Sequence, residues 1–368
     1  MNQDQQALVS ALRLIFADHM TAEKVIAAEG PGFAREAWDV LSDGGFTSIS
    51  IPESAGGSGG DLADACVVLH EIGRSAAAVP MAEHALLAGW AMAEAGMMLP
   101  AGVSTMADGA SMNTLNARTA ADGVVLNGVL ARVPWASNSS QIVLLIDLDG
   151  APHLVVVPTP LVAVEPGRNV AMESRDLVRC ENVTVPADGV IPAPATVTRQ
   201  ALELRAALSR AALIAGALER VTEITVRYTG EREQFGRPIA RFQAVQRHLV
   251  RIAEQSASAQ MAVDAAATNA VTGLDFFDIA SAKIVASEAA GVVAAASHQA
   301  HGAIGMTKEY ELGQLSRRLW SWRDECGSEA VWSRRLGAHV AAAGADALWP
   351  RISTGLSPER VADKMVAR

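Results

Sequence analysis

The sequence predicts an α+β protein, mainly helical, with an N-terminal helical domain, a middle β-barrel-like domain and a C-terminal four-helix bundle. Three observations carry this expectation. Half of the 368 residues are hydrophobic, and alanine, the best helix former, dominates long stretches poor in glycine and proline. Between about 104 and 198 the texture changes to clustered valines punctuated by prolines and glycines. The length exceeds what one hydrophobic core supports, so two or three packed units are expected, divided here as 1–103, 104–198 and 199–368.

In the first unit, Leu8, Leu12 and Ile15 share one helical face, and Phe33 to Leu41 forms a second helix before the turn at Gly44 and Gly45. Thr47 to Ile51 reads as a short strand. The glycines of IPESAGGSGG, Ile51 to Gly60, then exclude regular structure and predict a tight or closely approached loop. Leu62 to Arg74 returns to helix. In the middle unit the runs GVVLNG, QIVLLIDL and HLVVVP are strand-like. In the last unit four helical segments, 202–229, 242–272, 276–301 and 312–336, are separated by breaks near Gly236-Arg237-Pro238, Gly273 and Gly302, the pattern of an antiparallel bundle.

A net charge of -10 argues against nucleic acid, which demands clustered excess Lys and Arg. Basic residues do gather between Arg227 and Arg251, as a solvated helix face or as part of an anion site. Cys66, Cys180 and Cys326 are odd in number and widely spaced, so neither a disulfide framework nor a metal site is expected, and all three should be reduced. The N-terminus lacks the basic start of a signal peptide, and no apolar run is read as long enough to span a membrane. A cytoplasmic protein is the expectation.

Four short motifs carry the chemistry: the glycine loop at Ile51 to Gly60, VRCENVTVPADGVI at Val178 to Ile191, GEREQFGRPIARFQAVQ at Gly230 to Gln246, and SHQAHGAIGMTKEYELGQLSRR at Ser297 to Arg318. In the third, Arg232 offers a permanently charged fork suited to a diphosphate, Gln243 offers donor and acceptor, and Gly236 and Pro238 end one helix and begin another, leaving backbone N–H groups near an anion-ready helix start. Phe235 and Phe242 read as core packing. In this order, from Leu8 to about Leu336, the motifs resemble those of acyl-CoA dehydrogenases, and in particular divergent bacterial members that form heteromeric enzymes. Cys180 replaces an aromatic residue of that pattern, and Ala303 a glycine.

The resemblance implies FAD as cofactor, with Arg232, Gln234, Phe235 and Gln243 on one side and Gln299, Gly302 and Gly305 on the other facing a cofactor bound mainly by a neighbouring subunit. It implies a homo- or hetero-oligomer, an acyl-CoA substrate, steroid side-chain esters among the candidates, and an electron-transfer partner. Trp135 and Ser137 stand where the family lines its flavin, although core packing and a surface turn explain them equally well; Met112-Asn113-Thr114 replaces another flavin-side stretch. The reaction implied is α,β-dehydrogenation, in which a glutamate takes the α-proton and flavin the hydride. The usual base is absent. Ungapped matching puts Cys326 on one family position for it and Ala206 on the other. Glu325 is adjacent to the first but turned by about 100° if the helix is regular, and Glu203 lies nearly one turn before the second. These two are the surviving candidates. Alternatives are a flavin oxidase or monooxygenase on the same fold, and a catalytically silent partner subunit.

Overall fold

A computed structural model of the chain describes residues 1–108 and 114–354. Helices α1 (Gln3–His19), α2 (Ala22–Ala27), α3 (Arg35–Asp43) and α4 (Leu62–Arg74) come first, then a π-helical segment, Ala82–Gly89, continued by α5 (Trp90–Glu94). Asn2 and Asp61 start α1 and α4 with reciprocal capping boxes, which satisfy the first free N–H groups of each helix. The expected strand at Thr47 to Ile51 is instead a 3₁₀ turn, Phe46–Ser48, followed by Ser50 at φ 71°. The reason lies in the glycine loop. It folds back on the segment so closely that a Cβ on Gly57 would stand 2.1 Å from the Ile51 carbonyl oxygen.

Among the described residues eight strands follow: β1 (Ser104–Asp108), β2 (Asn116–Ala120), β3 (Gly123–Pro134), β4 (Gln141–Leu148), β5 (Ala151–Pro158), β6 (Ala163–Glu165), β7 (Arg175–Pro186) and β8 (Val190–Pro192). They form two four-stranded sheets, ordered β1-β4-β5-β8 and β2-β3-β7-β6, which among the described residues do not close into the barrel-like domain expected. Inward residues of both sheets, among them Leu126, Leu144, Val157, Val178 and Val185, share one core.

The chain then runs through α6 (Arg199–Glu231), a hairpin of β9 (Glu233–Gln234) and β10 (Arg237–Pro238), α7 (Gln243–Ala270), α8 (Phe276–His301), α9 (Glu311–Asp324), α10 (Glu329–Ala343) and α11 (Ala345–Thr354). The fourth expected segment is thus two helices. The break is built by Cys326 at φ 56° and Gly327 at φ 93°. Contrary to expectation, α8 is long and apolar enough to cross a membrane by length and composition, but it is the central helix of the bundle, packed on α6, α7, α9 and α10. Helices α4 and α6 cross in near backbone contact: a Cβ on Gly73 would lie 2.0 Å from the Leu213 carbonyl oxygen, and one on Gly216 1.8 Å from that of His70. Only glycine fits at either position.

Candidate functional site

Two places hold most of the residues singled out above: an exposed end of the bundle and a crevice where the three units meet. At the bundle end, Arg232 caps α6 and is exposed, as are Gln234, Gln243 and Gln299. Tyr228, one turn before Arg232, stacks on His301 at the end of α8 with centroids 4.6 Å apart, which brings the third and fourth motifs to the same end. Gly302, at φ 64°, terminates α8 in the open, while Gly305 is buried against His301 and Leu312. Helix α7 begins with no side-chain cap, so its first N–H groups stay available, as an anion-binding start requires.

Phe235 departs from its expected core position. It is 92% exposed at the tip of the β9–β10 hairpin, because Phe235 and Gly236 both adopt positive φ, the backbone of a tight two-residue hairpin turn. Its ring meets Phe242 edge-on at 6.0 Å, and the Arg237 guanidinium lies 4.3 Å over the Phe242 ring. A large apolar side chain thus stands out beside Arg232, Arg237 and Gln243.

The crevice is different. Trp135, buried with φ 56°, faces Glu83, Glu173, Arg175, Arg210 and Trp322 across a cavity of about 10 Å³, room for at most one water. Its Nε1 has no hydrogen-bond partner among the described residues. The turn carrying Trp135 is held by Asp176, whose Oδ2 accepts from the Ser137 N–H at 2.7 Å and the Ser174 hydroxyl at 2.7 Å; Ser137 itself is exposed. Met112 and Asn113 lie outside the described residues.

Charged side chains fill the crevice. Arg175, with its guanidinium 5.4 Å from the Trp135 ring centroid, donates to both Glu325 oxygens at 2.9 and 2.8 Å. Arg210 donates to Glu325 at 2.9 Å and also to Glu83. Glu173 accepts from Arg175 at 3.2 Å, Asn169 at 3.1 Å and Trp322 Nε1 at 3.1 Å, with Arg318 3.5 Å away. Three carboxylates therefore oppose three guanidiniums, all buried and from every unit of the chain. Burial alone would raise the Glu325 carboxyl, but Arg175 and Arg210 outweigh it and hold the group well below the usual carboxylate range. Glu325 reaches this place because α9 ends at Asp324, so the rotation expected of a continuous helix does not apply. Lys283, inside α8, fixes that end by donating to the Trp322 and Arg323 carbonyls at 3.0 and 2.8 Å.

The two candidate bases part company. Glu325 is in the crevice, but a carboxylate bound by two guanidiniums is a weak proton acceptor. Glu203 is outside it, in a half-exposed ion pair with Arg335 of α10 at 2.9 Å. Cys326 is exposed, and its carbonyl accepts from Trp332 Nε1 at 2.8 Å. The other thiols are buried and unpaired, with burial pushing Cys66 up to about 12 and Cys180 up to about 11. Sequence reasoning missed the members contributed by Glu83, Glu173, Arg175 and Arg210. Glu83 and Arg210 carry the signal of a charge inside an apolar run, Arg210 within LSRAALIAGAL most plainly, whereas Glu173 and Arg175 sit in the charged stretch MESRD and carry none.

Residues 2–98 match the acyl-CoA dehydrogenase N-terminal domain and residues 196–340 the acyl-CoA dehydrogenase C-terminal domain. The chain is 30% identical over 345 residues to the acyl-CoA dehydrogenase IpdE2 of Mycolicibacterium smegmatis, covering 92% of this chain and 100% of that one. Among solved structures it resembles a chain of the ChsE4-ChsE5 complex from Mycobacterium tuberculosis, with TM-score 0.85 and 25% identity over 93% of this chain and 98% of that one. It also resembles a chain of the Tcur3481-Tcur3483 steroid ACAD variant, with TM-score 0.83 and 25% identity over 93% and 99% of the two chains.

Proposed function

This chain belongs to the acyl-CoA dehydrogenase family, and from that premise we propose that it is the supporting subunit of a heteromeric FAD-dependent acyl-CoA dehydrogenase. The ion-filled crevice carries this reading. In the family, bound FAD supplies the hydride acceptor and a carboxylate takes the α-proton. The place that the resemblance gives to the flavin ring, beside Trp135, has about 10 Å³ of space, and Arg175 lies over that indole. The ring does not fit, and the carboxylate beside it is already spent on two guanidiniums. No step of the reaction is assigned to this crevice.

What the chain offers is the other half of a cofactor site. Arg232, Gln234, Gln243 and Gln299, exposed at one end of the bundle beside the uncapped start of α7, would hold the diphosphate and adenosine of an FAD seated in the adjoining subunit. The partner would then bring the flavin crevice and the glutamate. The ChsE4-ChsE5 and Tcur3481-Tcur3483 likenesses support a two-component assembly, and the second supports a steroid-type acyl-CoA as substrate, with an electron-transfer partner reoxidising the flavin.

Flavin absorbance of the purified chain, alone and with its partner subunit, tests this. The expected result is no stoichiometric flavin in the isolated chain, one FAD per pair of unlike chains, and dehydrogenation only in the mixture. Arg232→Ala should weaken FAD retention by the pair by about 1.5–3 kcal/mol, roughly ten- to hundredfold, through loss of a charge-assisted contact. A full complement of flavin in the isolated chain would overturn the reading.

A further inference from the structure

We infer that the cavity between the N-terminal helices and the bundle is a second ligand site, one that takes a small amphipathic carboxylate. It measures about 430 Å³, within the range of small-molecule sites, and is walled by α1, α2, the end of α4, α6 and α9. Phe16, Met20, Val25 and Leu315 give it an apolar side, and Arg13, Arg74 and Arg220, the last paired with Glu311, a polar one in which guanidiniums outnumber the carboxylate. None of these residues belongs to the cofactor surface or to the crevice, so the inference stands apart from the proposal above.

The guanidiniums are fixed by carboxylates. Arg13 donates through Nε and Nη2 to Glu71 at 3.0 Å each, Arg74 through Nη2 to Glu223 at 2.7 and 2.6 Å, and Arg220 through Nε and Nη2 to Glu311 at 3.0 and 2.8 Å. Arg13 and Arg74 also share one acceptor, Oε1 of Glu219, at 3.1 and 3.4 Å, so these two guanidiniums are neighbours. Among the described residues, Nη1 of Arg13 and Nη1 of Arg74 make no hydrogen bond. Two adjacent guanidiniums, each with an unused amino group, present the donors that a carboxylate accepts.

The charge count points the same way. His70 lies with Nε2 3.1 Å from Glu219 and Nδ1 3.4 Å from Glu71; burial disfavours its charge, but the two carboxylates prevail and push its pKa up to about 9. It is therefore a cation at neutral pH. In this connected set Arg13, His70, Arg74 and Arg220 match Glu71, Glu219, Glu223 and Glu311 one for one, and Arg227, exposed beyond the cavity wall and bound to Glu311, leaves the set as a whole one positive charge in excess. A single anion balances it. The apolar wall selects an anion with a hydrocarbon body over a bare ion, and the cavity is small enough to favour a short one.

Octanoate is a suitable probe, with acetate and octanol as its charge-only and apolar-only counterparts. Thermal unfolding of the full chain should shift upward by a few degrees with saturating octanoate, and by neither counterpart at equal concentration. Ala17→Trp places a large ring on the exposed part of the cavity wall without touching an ion pair, and should abolish the octanoate shift while leaving the unliganded transition in place. Ala22→Trp, exposed on the same wall, serves if the first variant is itself unstable. Absence of a shift in the parent chain, an equal shift with octanol, or an undiminished shift in the tryptophan variants would overturn the inference.

Discussion

Glu325 and Glu203 show how the same side chain takes opposite roles according to what surrounds it. Glu325 is enclosed by Arg175 and Arg210, and breaking a buried ion pair by removing one partner leaves charge uncompensated in a medium that solvates it poorly. Glu325→Gln should therefore lower the stability of the chain by about 3–5 kcal/mol, read as a lower midpoint in urea. Glu203 and Arg335 are each more than a third exposed, and an exposed pair contributes about 0–1 kcal/mol. Glu203→Gln should leave both the urea midpoint and the turnover of the mixed enzyme nearly unchanged. A loss of turnover with flavin still bound would instead make Glu203 the base.

Among the elements, the β9–β10 hairpin and the α4–α6 crossing lead to separate expectations. In the proposed assembly Phe235 at the hairpin tip would anchor the second subunit, since exposed aromatic side chains ringed by arginine and glutamine are what well-packed interfaces bury. Phe235→Asp should weaken assembly with the partner by about 2 kcal/mol or more, measured by sedimentation, and leave the melting of the isolated chain unaltered. At the α4–α6 crossing, His70 is raised from its ordinary 6.5 to about 9, so its contribution is complete below 6.5 and is lost as pH rises through 9. Glu219, lowered to about 2, first by His70 at 3.1 Å, loses its contribution only as pH falls through that value. Urea unfolding between pH 6 and pH 9.5 should show roughly 2–3 kcal/mol more decline in the parent chain than in His70→Gln.

Helical and strand periodicities were legible because each depends on a few adjacent residues: QIVLLIDL is β4 to the residue, and Phe276 to His301 is α8. The break after α9 was not, because the only breaker there is Gly327, with no proline beside it, and the first left-handed residue is a cysteine whose carbonyl is held by Trp332, while Lys283 from another helix ties down the end of α9. The core-packing reading of Phe235 failed for a related reason, as its exposure follows from a backbone turn and not from its own polarity. The crevice escaped notice because its charged members are scattered from Glu83 to Glu325 and balance one another only after folding.

At the scale of the whole molecule, α8 bears on how the chain is made. Before α9 and α10 exist to cover it, this stretch leaves the ribosome as a hydrocarbon rod of the length that membrane-insertion machinery accepts. Asp278, Lys283 and Glu288 are the counterweight, because an ionised group at the middle of a spanning helix costs about 2.5–3.5 kcal/mol on insertion. Lys283 in particular, which in the finished protein bonds Ser287 and ties down the end of α9, would during synthesis disfavour insertion of the segment until α9 and α10 are there to cover it. Lys283→Leu should thus divert part of the nascent chain into microsomal membranes in a coupled translation assay, a fate invisible in the folded protein.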